Sequence, residues 1–187
     1  MNMRPAGAIT TYRGNLLPAF DAVDEARYYN VQLTFKENEM GGILALNQPE
    51  KGTFRLIMMT AFGMPMFDFS ISRDSFIVNS CMEQMNKKVV LNILEKDFRS
   101  LLMLNLPNKF NAVYYRNNRL KDYAGYSINA DDGEFNFLLY PRNGGYVRNI
   151  QNGGSIKRMN ATFDDQVVTI NHPKLGLQMV MTMMSQE

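Results

Sequence analysis

Tryptophan is absent from this 187-residue chain, and cysteine and histidine occur once each, as Cys81 and His172. A single cysteine permits no internal disulfide, and a lone histidine lacks the companions that a histidine-based metal site needs. Charge of one sign is lacking too: 20 basic residues stand against 18 acidic ones, interspersed, for a formal net charge of +2. Composition therefore gives no electrostatic reason to expect nucleic acid as a partner. No run of 18 apolar residues occurs, so no membrane-spanning helix is expected. Met1-Asn2-Met3-Arg4-Pro5-Ala6-Gly7 has no apolar signal-peptide segment, which leaves either a cytoplasmic protein or a chain that begins after a removed export signal.

The signatures of catalysis are missing as well. There is no HExxH, no GxSxG and no Walker loop, and Gly144-Gly145 and Gly153-Gly154 do not open a helix pattern, so neither reads as a phosphate cradle. Asp131-Asp132 and Asp164-Asp165 fall in hairpin turns, where aspartate is expected for its local hydrogen bonding. Cys81, at an expected helix start, reads as a buried small apolar residue. His172 precedes Pro173 between two strand patterns and reads as a partly exposed turn residue. A Cys81–His172 nucleophile pair would need both within hydrogen-bond reach, and nothing in their contexts suggests it. The sequence thus points to a non-enzyme without catalytic residues, metal ligands or cofactor.

What is present in quantity is methionine, 15 residues of it. Met58, Met59, Met64, Met66, Met179, Met181 and Met183 concentrate on strand patterns or on one turn; flexible, polarisable side chains suit either gap-filling or a surface that accommodates ligands of varied shape. The stretch from Gly52 to Leu104 organises the rest. Thr53 to Thr60 and Met66 to Ser72 read as strands, the second with Phe67, Phe69 and Ile71 alternating against Asp68, Ser70 and Ser72. Between them, Ala61-Phe62-Gly63-Met64-Pro65 carries Phe62 and Met64 where a turn usually has polar residues. A third short strand follows, then Ser80-Cys81-Met82-Glu83 fits a capping box, with a restart at Asn86. Val90, Leu91, Leu94, Phe98, Leu101 and Leu102 recur at helical spacing, opposite Lys87, Lys88, Asn92, Glu95, Lys96 and Arg99. Glu95 and Arg99 form an i,i+4 pair, and Asn105-Leu106-Pro107-Asn108 is expected to stop the helix, since Pro107 disfavours helical geometry at the residue before it.

Elsewhere the signals are strands and turns. Residues 1–15 read as a tail or arm ahead of one domain spanning 16–187, with a short helix over Leu16 to Ala26. Tyr29, Val31, Leu33 and Phe35 alternate with polar residues, Glu37-Asn38-Glu39 makes a turn, and Gly42 to Leu46 is the next strand, ended by Asn47 to Gly52. Asn111 to Tyr115 is ambiguous. Strand patterns return at 123–128, 135–140, 146–150, 155–163, 167–170 and 177–183, the last with Leu177, Met179, Met181 and Met183 on one face. Ten to twelve short strands around one helix predict a mainly β protein with α: a single curved antiparallel sheet, a half-open β-barrel, capped by the inserted amphipathic helix.

The order of elements, with Gly42-Ile43-Leu44-Ala45-Leu46, Phe54-Arg55-Leu56 and Thr60-Ala61-Phe62-Gly63 leading into Phe67-Asp68-Phe69, resembles the outer-membrane lipoprotein receptor LolB and its periplasmic relative LolA, over about residues 16–184. That resemblance implies an incomplete barrel whose apolar cavity receives lipoprotein acyl chains. It places Phe62 where the family has the protruding leucine of a Pro-Leu-Gly turn, although Ala61 stands in place of the proline. The implied ligand and membrane residues are Phe62, Met64, Met58, Phe67, Phe69, Leu94, Phe98, Met179 and Met181, with membrane contact through the Phe62 loop. An exported protein on the periplasmic face of the outer membrane, anchored by lipid, is implied too. The expected partners are lipid acyl chains or lipoproteins and an envelope protein. The alternative expectation is a structural or assembly subunit of an envelope complex, its core filled by its own Met, Leu and Phe side chains.

Overall fold

The computed structural model describes residues 4–5, 10–12, 25–105, 110–116, 123–129, 135–141, 149–152, 159–164 and 166–185, with side chains for 25–105, 159–162 and 166–185. Among the described residues, fourteen strands form one antiparallel sheet: β1 (Arg4–Pro5), β2 (Thr10–Tyr12), β3 (Arg27–Phe35), β4 (Asn38–Glu50), β5 (Thr53–Thr60), β6 (Pro65–Ser72), β7 (Phe76–Cys81), β8 (Phe110–Arg116), β9 (Tyr123–Asn129), β10 (Phe135–Pro141), β11 (Asn149–Asn152), β12 (Met159–Asp164), β13 (Val167–His172) and β14 (Leu177–Met183). The described residues include one helix, α1 (Lys88–Leu101), between β7 and β8. The strand order is β1-β8-β9-β10-β11-β12-β13-β14-β3-β4-β5-β6-β7, with β2 also on β8. The sheet is curved and unclosed: β7 and β1 end the order and do not pair with each other. A mainly β fold with one helix, of half-open barrel type, is therefore what the chain adopts.

The period-2 pattern is what builds the core. In β3, Tyr29, Val31 and Leu33 are buried while Tyr28, Asn30 and Gln32 face out. The register carries that face across the sheet, so that Tyr29, Leu44, Met58 and Phe67 form one cross-strand row and Leu46, Leu56 and Phe69 the next. On the other side, Met181 pairs with Val31 and Val168, and Met179 with Leu33 and Ile170. Helix α1 contributes Leu94, Phe98 and Leu101 to the same core, and Phe98 meets Phe67 with ring centroids 6.1 Å apart. Each such large apolar side chain contributes roughly 1.5–3 kcal/mol when fully buried.

Gly42 holds its position through close approach: a Cβ there would lie 2.1 Å from the backbone carbonyl oxygen of Met59 on the paired strand. Gly42→Ala is expected to force β4 and β5 apart locally and to cost about 1–3 kcal/mol. Thermal denaturation of the variant beside Gly41→Ala, where the nearest backbone atom lies 3.7 Å away, checks this; equal melting temperatures would refute it.

Several sequence expectations need correction. Ser80 and Cys81 end β7 instead of capping a helix, since they pair with Asp68 and Phe67. Helix α1 begins at Lys88, after extended Lys87, with no side-chain cap and no acid in its first turn. It ends at Leu101, short of the expected stop at Asn105 to Asn108. Met103, at φ 54°, takes the left-handed position, and Met103 and Leu104 donate to the carbonyls of Ser100 and Arg99, a Schellman ending made without glycine. Strand β4 runs through Asn47 to Glu50 with a register shift there, and the turn is confined to Lys51 and Gly52, the latter at φ 82°. Asn38 and Glu39 are already strand, opposite Phe35 and Thr34. Asn111 to Tyr115 resolve as part of β8, and β1 and β2 of the leading segment pair with it. The expected helix over Leu16 to Ala26 lies mostly outside the described residues, as do Asp131-Asp132, Gly144-Gly145 and Gly153-Gly154.

Candidate functional site

The β5–β6 turn is tightly held. Thr60 N–H donates to the Met64 carbonyl at 2.8 Å, Gly63 N–H to the Thr60 carbonyl at 2.9 Å, and Met64 N–H to Thr60 Oγ1 at 3.1 Å. Gly63 takes φ 79°, a left-handed conformation that glycine adopts without steric cost. These bonds present Phe62 at 91% and Met64 at 60% relative exposure. Lower on the same hairpin, Arg55 grips Asp68 with two bonds of 3.1 and 2.7 Å, and Asn79 joins Asp68 and Ser70 across to β7. The Arg55 guanidinium holds the Asp68 carboxyl below the usual carboxylate range, against a smaller opposing effect of partial burial. Next to the turn, Met82 N–H donates to the Met66 carbonyl at 2.8 Å, which brings the segment leading into α1 beside the exposed tip.

The other seven residues suggested by the sequence lie in the interior. Met58, Phe67, Phe69, Leu94, Phe98, Met179 and Met181 belong to one contiguous buried cluster. Phe67 and Phe69 stack with centroids 4.3 Å apart and planes 4° from parallel. The nine candidates thus divide into a buried apolar layer between α1 and the sheet, and a solvent-exposed tip of Phe62 and Met64 at its rim.

The largest correction is His172. It is no turn residue: it ends β13, is 2% exposed, and its Nε2 lies 2.8 Å from Oδ2 of Asp97, itself 4% exposed on α1. His172 Nδ1 is buried without a hydrogen-bond partner among the described residues. Burial pushes the Asp97 carboxyl above its ordinary range, partly offset by the hydrogen bond from His172. Both positions carried a signal. Asp97 falls at i+3 from Leu94, inside the apolar stripe, and His172 continues the inward alternation of Val168 and Ile170. Only their meeting, 75 residues apart in sequence, was hidden. Cys81 is half-buried against the core, and burial pushes its thiol upward, away from the reactive thiolate.

An unclosed antiparallel sheet with one helix on its apolar face defines a half-barrel class of fold. No family profile matches the chain, and no curated protein matches it. Among solved structures, it is similar to a DUF1329 family protein from Desulfovibrio piger, with a TM-score of 0.51 at 8% identity, covering 87% of this chain and 85% of that one. At that identity the likeness is one of fold, and function has to be argued from the site.

Proposed function

We propose that this is a cell-envelope protein that binds lipid or lipoprotein, holding acyl chains in the apolar layer between α1 and the sheet. In this reading it is LolB-like, lipid-anchored at the periplasmic face of the outer membrane, and meets a bilayer or an envelope partner through the β5–β6 turn. The observation that carries the reading is Phe62, 91% exposed on a turn fixed by three hydrogen bonds. Folding gives no reason to hold an aromatic ring there, whereas insertion into an apolar phase does. Met58, Met179 and Met181 supply an adaptable lining, and each acyl methylene taken from water would add about 0.8 kcal/mol.

A second reading is favoured by the Phe67–Phe69 stack, both rings 0% exposed: a structural or assembly subunit whose interior is filled by its own side chains. Titration with a fluorescent acyl probe, competed by a lipidated peptide and by its unlipidated twin, separates the two. Saturable binding displaced by the lipidated peptide alone is the expected result, and absence of acyl binding would leave the assembly reading. Phe62→Asp is expected to keep its stability within about 0.5 kcal/mol, as an exposed substitution should, while losing delivery to vesicles. Undiminished delivery would remove the turn from the mechanism.

A further inference from the structure

The Asp97–His172 pair joins α1 to the sheet at a point that neither acyl binding nor core filling uses. Seated, it has two arrangements to choose between. With two protons, one lies in the Oδ2···Nε2 bridge and one on Nδ1; the pair is neutral, but Nδ1–H lacks an acceptor among the described residues. With one proton, held in the bridge, Nδ1 is a bare lone pair and the pair carries a net negative charge between α1 and β13. A buried net charge costs more than one unpaired N–H donor. Among the described residues, no cation compensates the pair. On α1, Arg99 turns to Glu95 and to the carbonyls of Ser72 and Arg73, and Lys96 is exposed. Lys174 in the β13–β14 turn is exposed, and β11, β13 and β14 carry no other ionisable side chain. On β6, Asp68 is taken by Arg55, and Asp164 of β12 sits opposite Val167, at the far end of β13 from His172.

We infer that Asp97 and His172 form a proton-gated clasp: α1 is seated on the sheet while the pair holds two protons, and it is released as rising pH removes one. The raised proton affinity of the Asp97 carboxyl agrees with this assignment. The sign follows from proton counting. With α1 lifted, the reference is a solvated carboxyl and a solvated imidazole, which in model peptides lose their protons near about 3.9 and 6.5. Between those values the open state also holds two protons, so seating is indifferent to pH. Above about 6.5 the open state holds one proton fewer than the seated state, so opening becomes easier as pH rises, until the seated pair gives up its own proton. The rest of α1 suits such a motion: all its buried residues lie between Leu94 and Leu101, and Val89 near its uncapped start is 61% exposed.

Hydrogen exchange of peptides covering 88–101, corrected for intrinsic rates and compared with the β5–β6 hairpin, tests this on the whole chain. Helix protection is expected to be level between pH about 4 and 6.5, then to fall by up to about tenfold per pH unit above 6.5, with the hairpin unchanged. Asp97→Asn, which keeps the hydrogen bond without the carboxyl, should reverse the trend: level above about 6.5 and losing protection below it, as the released His172 takes a proton. Protection that falls on acidification in the unaltered protein, or hairpin and helix opening together, would overturn the clasp. His172 is the sole histidine, so its ring resonances give a second reading on unaltered protein. Nδ1 should carry a proton near pH 6, and a bare Nδ1 there would also overturn the assignment.

Discussion

Replacing His172 with alanine is expected to lower the unfolding free energy by about 3–5 kcal/mol, the range for removing one partner of a buried ionisable pair. The loss has two sources. Asp97 stays 4% exposed on α1 with its Oδ2 partner gone, and a void is left where the imidazole filled the β13 end of the core. Urea denaturation near pH 6 measures it. Replacing both residues by leucine should cost less than the single change, because the stranded carboxyl goes with its partner and apolar groups take the volume. A double variant that is less stable than His172→Ala would show that the pair's own attraction, and not the stranding of Asp97, governs the effect. An unchanged midpoint in the single variant would mean that the 2.8 Å contact contributes nothing to holding α1.

Phe98→Ala is expected to cost a similar amount, about 3–5 kcal/mol, through cavity formation alone. Phe98 is 1% exposed and lies against Phe67, which is stacked in turn on Phe69; Phe69 meets Phe76 of β7 with centroids 5.0 Å apart. Removing the one ring that comes from the helix therefore opens space at the centre of a chain of aromatic contacts. The surrounding sheet positions are fixed by backbone ladders and collapse into it only partly. The same measurement extends the functional question. If the interior accepts acyl chains, a hydrophobic probe should recover part of the Phe98→Ala loss by occupying the space, and stability should rise with probe concentration. No recovery at any probe concentration would mean a core closed to ligand and would favour the assembly-subunit reading.

The two largest expected effects thus both concern how α1 is held to the sheet, one through Phe98 on the helix, whose role was readable from sequence, and one through His172 on β13, whose role was not. Phe98 announces itself: it lies at i+4 from Leu94 and i−3 from Leu101, and a helix with that stripe has to bury it. His172 looked like turn furniture because Pro173 follows it. The better signal was the alternation with Val168 and Ile170, which extends the inward face one residue further than the turn punctuation suggested. The capping box at Ser80 to Glu83 misled for the converse reason. Its residues have the chemistry of a helix start, but Ser80 and Cys81 gain more from pairing with Asp68 and Phe67 on the adjacent strand than from a local cap. Helix termination went the same way. Pro107 would have stopped α1 by its geometry, yet the chain already turns at Met103, whose left-handed φ lets Met103 and Leu104 pack against the core beside buried Leu102.

By itself the sequence determined the local periods: which stretches alternate, which stripe of α1 is apolar, where Gly52 and Gly63 break the chain, and that Phe62 and Met64 sit in a turn. These follow from interactions within a few residues, and period-2 and period-3.6 patterns encode them directly. Tertiary structure alone decided what long-range pairing supplies. It set β14 beside β3, bringing Met179 and Met181 onto the same core face as Leu33 and Val31. It pressed Gly42 against the Met59 carbonyl, and it closed 75 residues of chain to join Asp97 to His172. A carboxylate in an apolar stripe states that it needs a partner. Which partner it meets is fixed by strand order and by how far α1 reaches across the sheet, quantities that no local window contains.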